Sequence, residues 1–487
     1  MPSNRVVRVR TRQDGVAAAR LRAGIEEVRE ELGVTPDFPP EVEEAAARAA
    51  AAPRLPDLDR TDLPFLTIDP EGSMDLDQAL HIERADGAEG GYVVHYAIAD
   101  LHAFVSPGDP VDLESHRRGE TLYGADSKIP LHPKVISEDA GSLLPDRVRP
   151  ALLWTIRVDA EGEGTAVHVE RALVRSRRRL SYDEAQAALD AGTAEEVLVL
   201  LGEVGRLRLA REAARGGVSL PLPEQDIVID GDRWHLELRR LLPVEEWNAQ
   251  ISLLTGFAAA SLMVYARVGL LRTLPPPDPR DVQRLHRTAR ALGIEWPAEQ
   301  LYPDFIRSLD PELPHHAAMV VACTRLLRGS GYVALDGEVP EQPLHAALAS
   351  EYAHVTAPLR RLGDRYAGEV CLALCAGTEV PGWVRERLPD LPATLQASGQ
   401  RGNRYQRAVV DLVEAGVLAP LVGQVFAGVV VDVEDDDPRK GDVAVDEHAV
   451  EARVTATGDL PLGTDVRVRL VTADVATRKV AFELVEG

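Results

Sequence analysis

Thr67-Ile-Asp-Pro-Glu-Gly-Ser-Met-Asp-Leu-Asp-Gln-Ala-Leu80 is the stretch on which the reading of this chain turns. The apolar run 65–68 reads as a strand that delivers Asp69 at its end. Pro70 and Gly72 supply a turn. Asp75 and Asp77 follow two apart, with apolar Met74 and Leu76 interleaved. Residues two apart in extended backbone point to the same side, so a tight turn brings Asp69 back against Asp75 and Asp77. Three carboxylates so gathered repel unless a hard cation sits among them. Mg²⁺ takes oxygen ligands and tolerates retained waters and phosphate oxygens. Two such ions about 3.5–4 Å apart activate a water and stabilise the leaving oxygen in phosphodiester hydrolysis. A solvated acidic turn is the other reading, and spacing alone names no reaction.

Around that stretch lies a chain of 487 residues and 52.9 kDa. At roughly 100–200 residues per domain this makes two to four domains. Apolar residues at 45% and charged residues at 27% exclude general disorder, collagen-like sequence and a disulfide scaffold. The longest mainly apolar runs, such as 257–265, are far shorter than the ~20 residues of a membrane span, so no membrane association is expected. Residues 1–12 carry Arg5, Arg8, Arg10 and Arg12 with no apolar segment after them, unlike a signal peptide. With 3 Cys and no secretion signal, a reducing cytoplasm is the expected compartment. The net charge of -24 argues against a protein that coats nucleic acid nonspecifically, but leaves room for a narrow basic channel. The basic residues are almost all Arg, which suits bidentate phosphate binding and equally reflects GC-rich coding.

The chain is expected to be α+β and multidomain. Residues 11–32 read as a helix, with Val16, Leu21, Ile25, Val28 and Leu32 at helical spacing and Gly33 as the stop. A second helix spans 42–52, and Pro53, Pro56 and Pro64 mark a linker. Residues 1–60 are therefore assigned to a small helical domain, helix-turn-helix-like in outline. Its acidic first helix, with Glu26, Glu27, Glu30 and Glu31, suits docking to a protein partner as well as it suits nucleic acid. Strands are expected at 65–68, 92–99 and 151–158, and a hairpin across Asp230-Gly231-Asp232. Helices are expected at 181–191, 194–214, 244–268, 281–292, 315–327, 361–376 and 391–415. Together, 61–420 form one large α+β body. Residues 421–487 turn all-β, and five short strands with clear alternation in Val466-Arg-Val-Arg-Leu470 fit an OB-fold barrel.

The acidic stretch resembles the catalytic signature of the ribonuclease II (RNB) family of 3′→5′ exoribonucleases, and the resemblance continues in order. Tyr96-Ala-Ile-Ala-Asp100, Gly119-Glu-Thr-Leu-Tyr123, Lys128-Ile-Pro-Leu-His-Pro133, Ser142-Leu-Leu-Pro145 and Arg149-Pro-Ala-Leu152 are similar to its following segments. Leu180-Ser-Tyr-Asp183, Val244-Glu-Glu-Trp247 and Tyr352-Ala-His-Val-Thr-Ala-Pro-Leu-Arg-Arg361 with Asp364 extend the match. Residues 421–487 look like the family's C-terminal S1-type RNA-binding domain, so the resemblance covers 61–487.

The resemblance implies a Mg²⁺-dependent, processive exonuclease acting on the 3′ end of single-stranded RNA, by default as a monomer. It implies that Asp69, Asp75 and Asp77 hold Mg²⁺ and place the attacking water, with Asp77 the most critical for cleavage. Arg360 would neutralise the phosphate as charge builds up. Tyr123 would stack on a base near the 3′ end. Tyr182 and Glu246 would hold the terminal nucleotides and sense the 2′-OH. Each residue also has a structural reading: Tyr123 and Tyr182 as core aromatics, Glu246 as a first-turn helix carboxylate, Arg360 as a salt-bridge partner. The chain departs from the family at Gln78, where a second Asp is expected; Gln78 is either a weaker ligand through its amide oxygen or a mark of the alternative reading, a catalytically weakened RNA-binding protein or assembly factor on the same fold. A second stacking aromatic falls at aliphatic Ile227, with Trp234 the nearest replacement. The N-terminal cold-shock barrels of the family have no counterpart in 1–60, which implies looser RNA capture and less discrimination against duplex. Cys371 and Cys375 at i,i+4 read as buried thiols, and Arg175, Arg177, Arg178 and Arg179 as either an RNA path or a solvated face.

Overall fold

Five strands, Phe65–Asp69, Gln78–Arg84, Tyr92–Ala99, Val148–Val158 and Gly164–Ser181, close into a barrel at the centre of the molecule. The computed structural model describes residues 8–11, 16–86, 90–124, 128–220, 224–230, 233–310, 313–434, 436–445 and 450–485. Neighbouring barrel strands run antiparallel except at the closure, where Phe65–Asp69 lies parallel to the end of Gly164–Ser181 and Asp69 pairs with Ser181. Both faces of the sheet are buried, which is why Tyr92–Ala99 is apolar without alternation. Leu66, Leu80, Ile98 and Trp154 pack in the large core beneath the helices. Their neighbours Phe65, Ala79, Ala97 and Leu153 form a second, tighter core with Ala151, Ala172 and Val174.

Helices cover the first of these faces. Tyr182–Asp190 starts directly off the last strand through a capping box: Ser181 Oγ accepts from the Glu184 N–H, and Glu184 accepts from the Ser181 N–H. Glu196–Arg215 and Pro243–Ala266 follow, then Leu362–Ala376. Pro243–Ala266 is long and apolar enough to cross a membrane by composition, but it buries Val244, Ile251, Leu254 and Met263 against the barrel and reads as a core helix. The strands Gln78–Arg84 and Gly164–Ser181 were not anticipated. In the latter the basic run 175–179 masks the alternation of buried Ala172, Val174 and Ser176.

The C-terminal segment forms a second closed five-stranded barrel, Val425–Val433, Lys440–Val445, Val450–Thr455, Asp465–Asp474 and Lys479–Leu484, as its alternation predicts. Val468 and Leu470 point into its core while Arg467 and Arg469 face solvent. The long helix Leu391–Leu418 joins the two barrels by packing Tyr405, Val409 and Val413 beside Phe426 and Val430.

The expected N-terminal helices form, and among the described residues of 1–60 they bury their apolar faces in two different clusters. Helix Val16–Leu32 buries Ile25 and Val28 with Tyr405 and Leu412, and Glu31 pairs with Arg478 of the C-terminal barrel. Helix Pro40–Ala51 buries Val42 and Ala46 in a different cluster, with Leu101, Phe104 and Ile136. The two helices thus pack onto separate parts of the molecule rather than onto each other, unlike a helix-turn-helix unit. Arg8–Thr11 adds a parallel strand to the hairpin Glu224–Asp230/Arg233–Arg239.

Candidate active site

The acidic loop hangs between the first two strands of the central barrel. The Ser73 N–H donates to the Pro70 carbonyl at 3.1 Å, and Gly72 sits at φ 80°, the left-handed third position of a type II turn. Ser142, remote in sequence, then pins the descending arm: its hydroxyl donates to the Met74 carbonyl at 2.6 Å and accepts from the Leu76 N–H at 2.9 Å. Arg179 donates to the Ser73 carbonyl at 3.0 Å. The loop is therefore fixed before any ligand arrives.

Asp77 lies at the base of the loop with 4% exposure. Its Oδ1 accepts from the Leu359 N–H at 2.8 Å, and its Oδ2 lies 3.5 Å from Arg360 Nε. Burial pushes its carboxyl up to about 8, against the pull of Arg360 and the Leu359 N–H, with Asp75 adding to the rise. Asp69 is pushed up to about 7, chiefly by burial and further by Asp75, against Arg360 and Arg179. Asp75 takes a different partner: Lys128 Nζ sits 2.7 Å from its Oδ1 and 3.0 Å from Glu138 Oε1.

Arg360 is held by its backbone. Asp364, fully buried, accepts from the Ala357 N–H at 2.8 Å and from Arg361 at 2.7–3.1 Å, which fixes the bend before Arg360. The Thr121 N–H donates to the Arg360 carbonyl at 2.9 Å. The Arg360 side chain keeps 43% exposure and Tyr123 40%, so both line an open recess beside Asp77. Burial works against the Arg360 charge, but Tyr123 and Asp77 outweigh it and raise its pKa. Tyr182 stands on the other side of the loop, where Asn248 Nδ2 donates to its hydroxyl at 3.4 Å. Burial, with the nearby Asp69 carboxylate, pushes Tyr182 up to about 12.

Of the expected site residues, Asp69, Asp75, Asp77, Arg360, Tyr123 and Tyr182 thus gather around one recess. Glu246 is the exposed member of the double-Glu turn, whereas Glu245 is tied to Arg239 and to the Leu242 N–H. Gln78 is turned away from the carboxylates. Its amide oxygen accepts from the Tyr96 hydroxyl at 2.6 Å, and its Nε2 donates to the Thr356 carbonyl at 2.6 Å. An amide so satisfied is a structural link and not a free oxygen ligand. The side chains of Ile227 and Trp234 lie outside the described residues. Arg177, Arg178 and Arg179 each donate to the protein itself, to Thr61, Glu195 and Ser73. All three cysteines are free thiols. Lys128, Glu138, Ser142 and the Leu359 N–H were missed as site groups, because nothing in local spacing announces contacts that cross the fold.

The donor chemistry suits a hard cation, but the side chains as placed do not converge on one. Asp69 and Asp77 are desolvated carboxylates whose charge the protein alone compensates poorly, and oxygen-only ligands are what Mg²⁺ prefers. Among the described residues no three His, Cys, Asp or Glu side chains converge closely enough to hold a metal, since Asp75 is drawn to Lys128 and Asp77 to Leu359.

Residues 58–373 match the RNB domain. The chain belongs to the RNB family. Residues 424–485 match the RNase II-type exonuclease C-terminal S1 domain, so the second barrel is the family's S1 barrel. This RNB chain is 28% identical over 404 residues to ribonuclease R of Escherichia coli (strain K12), which covers 77% of it but only 48% of that protein. The chain therefore spans about half the length of that curated relative. Its fold is shared with Mycoplasma genitalium RNase R, solved with ribose-methylated single-stranded RNA, at TM-score 0.84 and 18% identity over 96% of this chain and 78% of that one. The same Mycoplasma protein was solved with double-stranded RNA. Yeast Ssd1, a pseudonuclease, shares the fold at TM-score 0.70 and 14% identity over 95% of this chain and 58% of that one.

Proposed function

We propose that this chain is a Mg²⁺-dependent, processive 3′→5′ hydrolytic exoribonuclease that releases 5′-nucleoside monophosphates from RNA in a reducing cytoplasm. The observation that carries the reading is the convergence of buried Asp77 and half-exposed Arg360, 3.5 Å apart, from opposite ends of the RNB body. Asp69, Asp75 and Asp77 are the residues that would hold Mg²⁺. The bound ion would supply charge neutralisation at the phosphate and acidify a water.

The chain's own groups do the rest. Arg360 offers a guanidinium fork to the phosphate oxygens, and Asp77 keeps it aligned. The Leu359 N–H holds Asp77 in turn, so the acid and the base sit in fixed register without reorganisation. Tyr123, on the rim, offers a face to a base of any identity. Tyr182 and Glu246 would hold the terminal nucleotides. Burial raises the carboxyl pKa of Asp69 and Asp77, so a cation entering there must displace protons, and Mg²⁺ affinity should tighten as pH rises.

A second reading, RNA binding without turnover, is favoured by one observation: Lys128 sits on Asp75 while Gln78 is tied to Tyr96 and Thr356. One experiment decides between them. Purified protein is incubated with 5′-labelled single-stranded RNA, with Mg²⁺ or with EDTA. Mg²⁺-dependent shortening to a few-nucleotide end product supports the exonuclease. Intact RNA with a retained gel shift supports the binding protein.

A further inference from the structure

Gln78 opens the strand Gln78–Arg84, directly after Asp77, and reaches a residue 278 positions away in the chain. Its Nε2 donates to the Thr356 carbonyl at 2.6 Å, and its Oε1 accepts from the Tyr96 hydroxyl at 2.6 Å. Burial pushes the Tyr96 pKa well above its ordinary range, so that hydroxyl stays protonated and keeps its donor. Ser252 Oγ lies 2.9 Å from the same hydroxyl. A phenol that donates to Oε1 leaves Nε2 to face Thr356, and the amide has one orientation. An amide offers an acceptor to Tyr96 and a donor to Thr356 at once. The Asp expected there by resemblance is one methylene shorter and, when ionised, has no donor for Thr356.

Thr356 begins the turn that leads to Arg360. The middle of this turn is closed from within, since the N–H groups of Arg360 and Arg361 donate to the Ala357 carbonyl at 3.2 and 2.9 Å. Its two sides are held from outside. The Leu359 N–H donates to Asp77, and the Thr356 carbonyl accepts from Gln78, so two adjacent side chains grip one turn at two points. Thr356 and Leu359 are buried, whereas the Arg360 side chain is half-exposed. A long side chain with that much freedom is placed first by the backbone that carries it.

We propose that Gln78 is a positioning residue for Arg360: its amide ties Tyr96 to Thr356 and so holds the turn that presents the guanidinium. The departure from the family pattern at this position is then a change of role and not a mark of decay. The proposal rests on the exonuclease reading above. Arg360 meets the charge that builds on the cleaved phosphate, so a loosened turn weakens the transition state more than the bound ground state.

The test is a double-mutant cycle on the full chain. Single-turnover shortening of 5′-labelled single-stranded RNA is measured for the parent, Gln78→Met, Arg360→Lys and the double variant. Arg360→Lys keeps the charge but gives up the fork whose alignment the turn supplies. Gln78→Met is expected to slow cleavage by roughly tenfold, as for one hydrogen bond lost, with gel-shift affinity within about twofold. In the Arg360→Lys background the same change is expected to cost less than about twofold. An equal loss in both backgrounds would overturn the proposal, because a Gln78 that only supports the fold acts without Arg360. An unchanged rate in Gln78→Met would overturn it too. If Gln78→Met fails to fold, which a thermal melt reveals, Gln78→Asn carries the cycle: it is neutral but too short to span Tyr96 and Thr356. If the parent leaves RNA intact, the exonuclease reading falls by itself, and the cycle is read in gel-shift affinity. Gln78→Met should then weaken binding only while Arg360 is present, and additive losses would overturn the role of Gln78.

Discussion

The Leu359 N–H donates to Asp77 Oδ1 at 2.8 Å, joining two residues 282 positions apart. A backbone donor holds the carboxylate whether or not it is charged, so Asp77→Asn keeps the bond through its amide oxygen and loses only the charge. The expected result is loss of RNA shortening by ~10²-fold or more, as when one preorganised electrostatic contact is removed. Gel-shift affinity should stay within a few fold. A variant that shortens RNA at the parent rate would remove Asp77 from the chemistry.

Asp364 touches no part of the recess, yet it fixes the bend that carries Leu359 and Arg360. Asp364→Ala strips the buried partner from Arg361 and from the Ala357 N–H. Breaking a buried ion pair on one side costs about 3–5 kcal/mol. Urea unfolding should show a loss near the lower end, since Arg361 is partly exposed. A change below ~1 kcal/mol would mean that the loop holds its shape without Asp364.

Restoring a carboxylate at position 78 should not help. Gln78→Asp is one methylene too short to span Tyr96 and Thr356, and it sets a negative charge against the Thr356 carbonyl that Gln78 Nε2 now satisfies. Leaving a buried polar group unpaired costs about 1–3 kcal/mol. The melting temperature should fall, and Mn²⁺ affinity should not tighten. A tighter ion at an unchanged melting temperature would show that residue 78 is free to act as a ligand.

His345 is buried, and burial, helped by Arg272, depresses its pKa from 6.5 to about 3. The fold therefore favours neutral imidazole while the unfolded chain takes up a proton near 6.5. That contribution to stability is intact above about 6.5 and is lost as pH falls toward 3. Asp69 and Asp77, raised to about 7 and 8 from 3.8, run the other way: their contribution is present below 3.8 and lost as pH rises toward neutrality. Comparing His345→Gln with its parent at each pH cancels the aspartates. The variant's deficit in unfolding free energy should shrink by roughly 2 kcal/mol between pH 7.5 and 5. A deficit that is the same at both values would mean that His345 accepts a proton in the fold.

What could be read in advance depended on how local each signal is. The C-terminal barrel was legible because Val466 to Leu470 alternates with a period of two and both faces differ in polarity. The loop that carries Asp69, Asp75 and Asp77 was legible because a strand, a turn and a short extended arm follow one another within residues 65–77. Gly164–Ser181 was not, since its arginines hide which face is buried. The two N-terminal helices were each found, but amphipathic spacing says only that a face is covered, not by what. Ile25 and Val28 turn out to need Tyr405, and Val42 needs Phe104. Lys128 was quoted only as the start of a motif, because an ammonium meeting Asp75 and Glu138 is a property of the assembled loops.

The parallel seam that closes the central barrel has a consequence for synthesis. Asp69 reaches its place only when Ser181 has arrived, and Asp77 acquires its donor only with Leu359. A growing chain therefore carries the acidic loop long before the residues that fix its two ends exist. Chain order leaves the loop incomplete until Leu359 has been made, 282 positions after Asp77.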